Sequence, residues 1–168
     1  SKMHVCNLYI QLDLPATSHY PDHPAGQLFM NKKIYEMLLP LLKKQEYINS
    51  VDIFINQNID INFDLIRHFP IQLSFDSMKF GAHISGVQPD LAQTFLNVED
   101  HKKLKNKIVI LRSLRYQNHF INYNFLNKYK DVYFVGTFKE YENLKLSIKN
   151  LKFYKCKDFL EMAEIIKS

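Results

Sequence analysis

Five residues in one short stretch have the types that grip an anion: Arg112, Ser113, Arg115, Tyr116 and Asn118, within KIVILRSLRYQN at residues 107–118. The chain holds three arginines (Arg67, Arg112, Arg115) against nineteen lysines, and two of the three fall here. A guanidinium presents a flat fork of donors that matches phosphate or carboxylate bidentately, which an ammonium does not. Two guanidiniums, a hydroxyl and the exposed amides of a helix start together suit a diphosphate. The alternative for such arginines is a surface loop in which they pair with nearby carboxylates. Directly ahead stands Ile108-Val109-Ile110-Leu111, an apolar β-branched run between charges, which is the pattern of a buried strand. In a parallel α/β sheet, ligands bind at the loops that leave the carboxyl ends of strands. This loop is therefore the leading candidate site.

A second candidate is VYFVGTFKEY at residues 132–141, a strand, a glycine turn and a helix start. Gly136 would let the backbone approach a ligand, and Glu140 could point into a cleft. Thr137 and Glu140 also fit a capping box, S/T-x-x-E, which gives the glutamate a structural role. The stretch is not GxGxxG and has no Walker lysine, so neither a dinucleotide fingerprint nor a P-loop is supported. His19, Asp22 and His23 cluster in a Pro-rich loop, where such residues ordinarily form turns, and zinc would need further ligands from elsewhere. Asp52, Asp60 and Asp64 surround a strand and a turn and read mostly as turn formers. No nucleophile elbow or Ser/His/Asp ordering is present.

The elements that must position these groups follow from pattern. Residues 4–12 alternate as a strand and lead into a long Pro-containing loop over 13–26. Residues 29–44 carry Ile34, Met37, Leu38, Leu41 and Leu42 at helical spacing, with Pro40 a point of kinking or division. Residues 49–55 give a short strand, 63–68 a helical turn and 90–95 a short helix, while 71–85 are weakly patterned. From 107 the chain alternates: strand 107–111, helix 121–129, strand 132–135, helix 138–148, strand 151–154, helix 158–167 with Asp158 as its cap. The pattern predicts an α/β protein: a Rossmann-like parallel βαβαβα sheet in the C-terminal half and a smaller α/β lobe in the N-terminal half. The boundary falls near 98–105, giving a partial N-terminal lobe over 1–100 and a partial Rossmann-like domain over 101–168.

Composition narrows the function classes. Hydrophobic residues at 46% and aromatics at 14% suffice for a packed core. The net charge of +5 comes from lysines scattered along the chain rather than gathered on a face, so no nucleic-acid partner is expected. Cys6 and Cys156 lie far apart in strand-like runs and form no CxxC pair, which fits reduced thiols and a cytoplasmic setting. No apolar run approaches the length of a transmembrane span.

On these residues the chain resembles a known group. KIVILRSLRYQN, INYNFL, DVYFVGTFKEYENL and FYKCKDFLEMAEIIKS are similar to the second Rossmann-like domain of the two-domain (GT-B fold) glycosyltransferases, near the heptosyltransferase-like families. LLPLLKKQEYINSVDIF resembles a helix-and-strand segment of their first domain. The resemblance implies a first loop that meets the diphosphate of a nucleotide-sugar donor, through Arg112, Ser113, Arg115, Tyr116 and Asn118, with Gly136 and Glu140 on the next turn. It implies transfer to a glycan or lipid-linked acceptor. Arginines would offset the charge on the leaving diphosphate, without a metal or any other cofactor. The Gly-rich opening whose acidic residue serves as base in that family has no counterpart here, nor does its late donor-pocket turn. The catalytic residue therefore stays unassigned, and a non-enzymatic α/β binding module with an anion-binding loop is the alternative.

Overall fold

The chain was analysed as a computed structural model, which describes residues 5–16, 26–68, 77–88, 90, 92–112, 118 and 120–168, with backbone alone at 67 and 77–79. It divides into two compact units: residues up to Ile53 together with Asn97–Ser168, and Phe54–Leu96. This division differs from a single cut near 98–105.

The first unit holds two parallel sheets. β1 (Cys6–Ile10) and β2 (Ile48–Ile53) pair in parallel across α1 (Lys32–Lys43), a βαβ unit. Asn31 caps α1 by accepting from the Ile34 amide at 2.9 Å, and the helix runs on through Pro40 undivided. Before α1, the loop expected over 13–26 has paired stems: the Ala16 amide donates to Gln27 O and the Phe29 amide to Leu14 O. Residues 17–25, which include His19, Asp22 and His23, lie outside the described residues.

The second sheet is β3 (Ile108–Leu111), β4 (Val132–Val135) and β5 (Leu151–Tyr154), parallel and in that spatial order. Side chains alternate between faces along a strand. Ile108, Ile110, Val132, Phe134, Leu151 and Phe153 therefore share one face, where α3 (Phe138–Lys145) and a 3-10 helix (Tyr123–Lys128) cover them with Tyr141, Leu144, Ile148, Leu126 and Tyr123. Val109, Tyr133, Val135 and Tyr154 take the other face, packed against Leu104 and against Met162 and Ile165 of α4 (Phe159–Lys167). The fold is thus mixed α/β with small parallel sheets, and the three-stranded one is covered on both faces. At its amino edge Asp131 bridges Lys107 at 2.9 Å and Lys152 at 2.8 Å. The hydrogen bonds from Lys152 and then Lys107 hold its carboxyl down to about 2.

α1 and α4 pack on each other, which joins the two sheets' βα units. The buried Gln45 side chain accepts from the Asn97 amide at 2.7 Å and donates to Leu41 O at 2.7 Å. Lys44 reaches Glu99 at 3.5 Å and Glu164 at 3.9 Å.

Two expected helices take other forms. The helix expected over 121–129 is the 3-10 helix Tyr123–Lys128, whose cap Asn122 accepts from the Asn124 amide. Asparagine side chains compete with the α-helical ladder, and four of them lie between 118 and 127. In 90–95, Asp90 Oδ1 accepts from the Ala92 amide and its carbonyl from the Gln93 amide, so the described residues there form a turn. In the second unit, α2 (Ser77–Ser85) packs against the 3-10 helix Phe63–His68. No described helix is long and apolar enough to cross a membrane.

Phe134 is fully buried at the centre of the larger core. Phe134→Ala should lower stability by about 3–5 kcal/mol in urea unfolding followed by circular dichroism. Leu146→Ala, at a side chain 85% exposed, should change it by less than about 0.5 kcal/mol.

Candidate functional site

The carboxyl edge of β3 and β4 brings two of the sequence-predicted residues to neighbouring positions. Leu111 pairs with Val135 in the parallel register, so Arg112 and Gly136 leave the sheet at neighbouring positions. By alternation both continue the face of Ile110 and Phe134. The half-buried Arg112 places its guanidinium carbon 5.3 Å from the centroid of the Tyr123 ring. That separation lies within the range of a cation–π contact. Among the described residues, no carboxylate lies within ion-pair range of Arg112. Its contact with an aromatic face orients the side chain and leaves its charge uncompensated by an anion of the described chain.

Asn118 is exposed, and its Oδ1 accepts from the Phe120 amide at 2.9 Å, an Asx turn that starts the run toward the 3-10 helix. Ser113, Arg115 and Tyr116 lie outside the described residues.

Gly136 and Glu140 have a packing account. A Cβ at Gly136 would stand 2.8 Å from two ring atoms of Phe134 and 3.2 Å from Glu140 Oε2, so only hydrogen fits. Glu140 is buried and folded back: Oε2 accepts from the Thr137 amide at 3.0 Å and from Thr137 Oγ1 at 2.6 Å. Thr137 Oγ1 in turn accepts from the Glu140 amide at 3.4 Å, which completes the capping box. The box satisfies donors that the first helical turn cannot satisfy internally.

The opposite face carries a polar group that pattern reading missed. His101 is buried, and its Nδ1 accepts from the Leu104 amide at 3.1 Å. That bond assigns the ring proton to Nε2, which lies 3.2 Å from Tyr154 Oη and 3.5 Å from Glu161 Oε1. Tyr154 Oη donates to the same Oε1 at 2.7 Å, while Oε2 accepts from the Lys157 amide at 2.6 Å. Asp158 caps α4 by accepting from the Glu161 amide at 2.9 Å, as its position in the sequence predicts.

Electrostatics follow from this packing. Burial, then the bond to Glu161 and its charge, push the Tyr154 phenol up to about 12. Burial and the charges of Glu161 and Asp158 push the Cys156 thiol up to about 11, so it rests as an inert thiol. For Glu161, burial acts upward, but the Lys157 amide, Tyr154 and His101 outweigh it and hold the carboxyl below its usual range. This triad is saturated with partners and reads as a staple between the 101–104 connector, β5 and α4. Pattern reading gave no signal for it, because His101 and Tyr154 are 53 residues apart.

Among the described residues, no group of three His, Cys, Asp or Glu side chains is placed to hold a metal. No protein-family model, curated protein or solved structure matches this chain.

Gly136→Ala should destabilise the protein by about 1–3 kcal/mol, the cost of overpacking against a fixed ring, read as a lower urea midpoint. A carboxyl whose folded pKa is depressed adds stability above its ordinary value, here 4.5. That stability is lost as pH falls through the lower folded value. The parent should therefore lose stability more steeply below that pH than Glu161→Gln, in paired unfolding curves taken at stepped pH.

Proposed function

We propose that this chain is a glycosyltransferase-like protein of the two-Rossmann-domain type, and that the carboxyl edge of β3 and β4 holds the diphosphate of a nucleotide-sugar donor. The observation that carries the reading is the placement of Arg112. A guanidinium leaves the end of a parallel core strand, is steadied by the Tyr123 ring and stands beside the exposed turn at Gly136. Such an edge is where α/β sheets receive ligands, and a planar cation there suits a phosphate oxygen pair. Ser113, Arg115 and Asn118 belong to the same loop and would add donors. In transfer, the arginines would offset charge gathering on the leaving diphosphate, while an acidic group deprotonates the acceptor hydroxyl. The acceptor expected from the resemblance is a glycan or a lipid-linked glycan.

A second reading, a non-enzymatic module that binds an anion, is favoured by one observation. Glu140, the acidic residue nearest in sequence to the Gly136 turn, spends Oε2 on the Thr137 capping box rather than presenting it to an acceptor.

A thermal-shift titration with UDP, GDP, CDP and ADP tests the site, since a ligand of the native state raises the melting temperature by mass action. At least one should stabilise the parent chain. Arg112→Ala should weaken that ligand about tenfold to a hundredfold, the range for losing a charged hydrogen bond. Arg112→Lys should recover only part of the loss, because it keeps the charge without the fork. Release of nucleoside diphosphate from the matching nucleotide-sugar would select the enzyme over the binding module. No shift with any of the four at millimolar concentration, in a folded sample, would overturn the diphosphate reading.

A further inference from the structure

We infer that Phe138 is the platform on which the base of the bound nucleotide stacks, so that the site selects nucleoside diphosphates over simpler anions. This deepens the diphosphate reading of Arg112 and rests on it. Phe138 is the first residue of α3 and is 56% exposed. Yet its ring is held in place. It stands edge-on to Phe153, centroids 5.5 Å apart at 82°, and lies 5.7 Å from Tyr141. An aromatic fixed by two aromatic neighbours while more than half open to solvent loses little freedom when a flat ligand covers it.

Its position relative to Arg112 follows from the sheet register. Ile110, Phe134 and Phe153 form one row across β3, β4 and β5. Arg112, held against the Tyr123 ring, leaves β3 on that row's face, and Phe138 stands edge-on to Phe153 of β5. The β4 end carries Gly136, which has no side chain. One rim of one face therefore runs cation, bare backbone, aromatic ring. Two interstrand spacings of about 4.8 Å separate its ends. A nucleoside diphosphate has the same order: an anion, a ribose and a flat π-system. Inorganic phosphate, pyrophosphate or a sugar phosphate would engage Arg112 and leave Phe138 uncovered. Stacking on an aromatic ring tolerates any base, so the ring would supply affinity for a nucleotide without choosing among bases.

The chain contains no tryptophan, which makes the test direct. Phe138→Trp in the full chain creates a single indole at the platform. UDP, GDP, CDP, ADP and inorganic pyrophosphate are titrated against it by fluorescence, and against the parent, Phe138→Ala and Arg112→Ala by calorimetry. The expected result is quenching by at least one nucleoside diphosphate and none by pyrophosphate. Phe138→Ala should weaken that nucleotide about fivefold to a hundredfold and leave pyrophosphate unchanged, while Arg112→Ala weakens both. If a nucleoside diphosphate binds parent and Phe138→Ala alike without quenching, or no tighter than pyrophosphate, the platform is overturned and the diphosphate reading stands. If neither nucleotides nor pyrophosphate bind, both fall.

Discussion

A parallel strand buried on both faces must find cover on both, and β4 imposes that demand on the larger sheet. Val132, Phe134 and Val135 are between 0% and 1% exposed. The short crossovers to either side meet the demand on one face with the 3-10 helix and α3. On the other, α4 and the segment around Leu104 meet it. Parallel sheets are stable only when doubly covered, so the loops are driven to the two edges. The Phe134 ring then dictates the residue after the strand, because any side chain at 136 would strike it. The glycine opens the turn, the turn sets Thr137 as cap, and the cap draws in Glu140. A stretch that reads as a ligand loop is thus accounted for, in large part, by the core beneath it.

What was legible in the sequence was short-ranged. The runs Ile108–Leu111, Val132–Val135 and Leu151–Tyr154 announced strands because each is brief, largely apolar and bounded by polar residues or glycine. Thr137-x-x-Glu140 and the capping residue Asp158 announced helix starts because caps act within the first turn. The crossover over 121–129 misled because Ile121 and Phe125 stand four apart, an α-helical spacing, whereas the asparagines favour the 3-10 form. The association of residues up to Ile53 with Asn97–Ser168 could not be read at all. It rests on α1 against α4 and on Gln45 meeting the Asn97 amide 52 residues away, and periodicity carries no such information.

The candidate site divides along the same line. Arg112 stood out by composition, as a rare residue at a strand end. Its partner Tyr123 and the ring of Phe138 did not, because a cation over a ring and an edge-on aromatic pair are tertiary facts. Composition marked the charge; packing supplied the surfaces that give the charge a context.

The two faces of the sheet end differently at the carboxyl edge, and that difference bears on where a ligand can lie. On the α4 face, Tyr154 closes the end of β5 with His101 and Glu161, and the hydrogen bonds among them tie the connector to the helix start. Opening that corner would expose a buried imidazole and forfeit bonds to a charged carboxylate, each worth more than a neutral hydrogen bond. On the α3 face the same edge presents a half-buried guanidinium without a carboxylate among the described residues, a side-chain-free turn and an exposed ring. A polar network saturated within the protein has nothing to offer a ligand. Arg112, held by the Tyr123 ring, and the exposed ring of Phe138 are not saturated in that way, which is why the proposed site is placed on the α3 face.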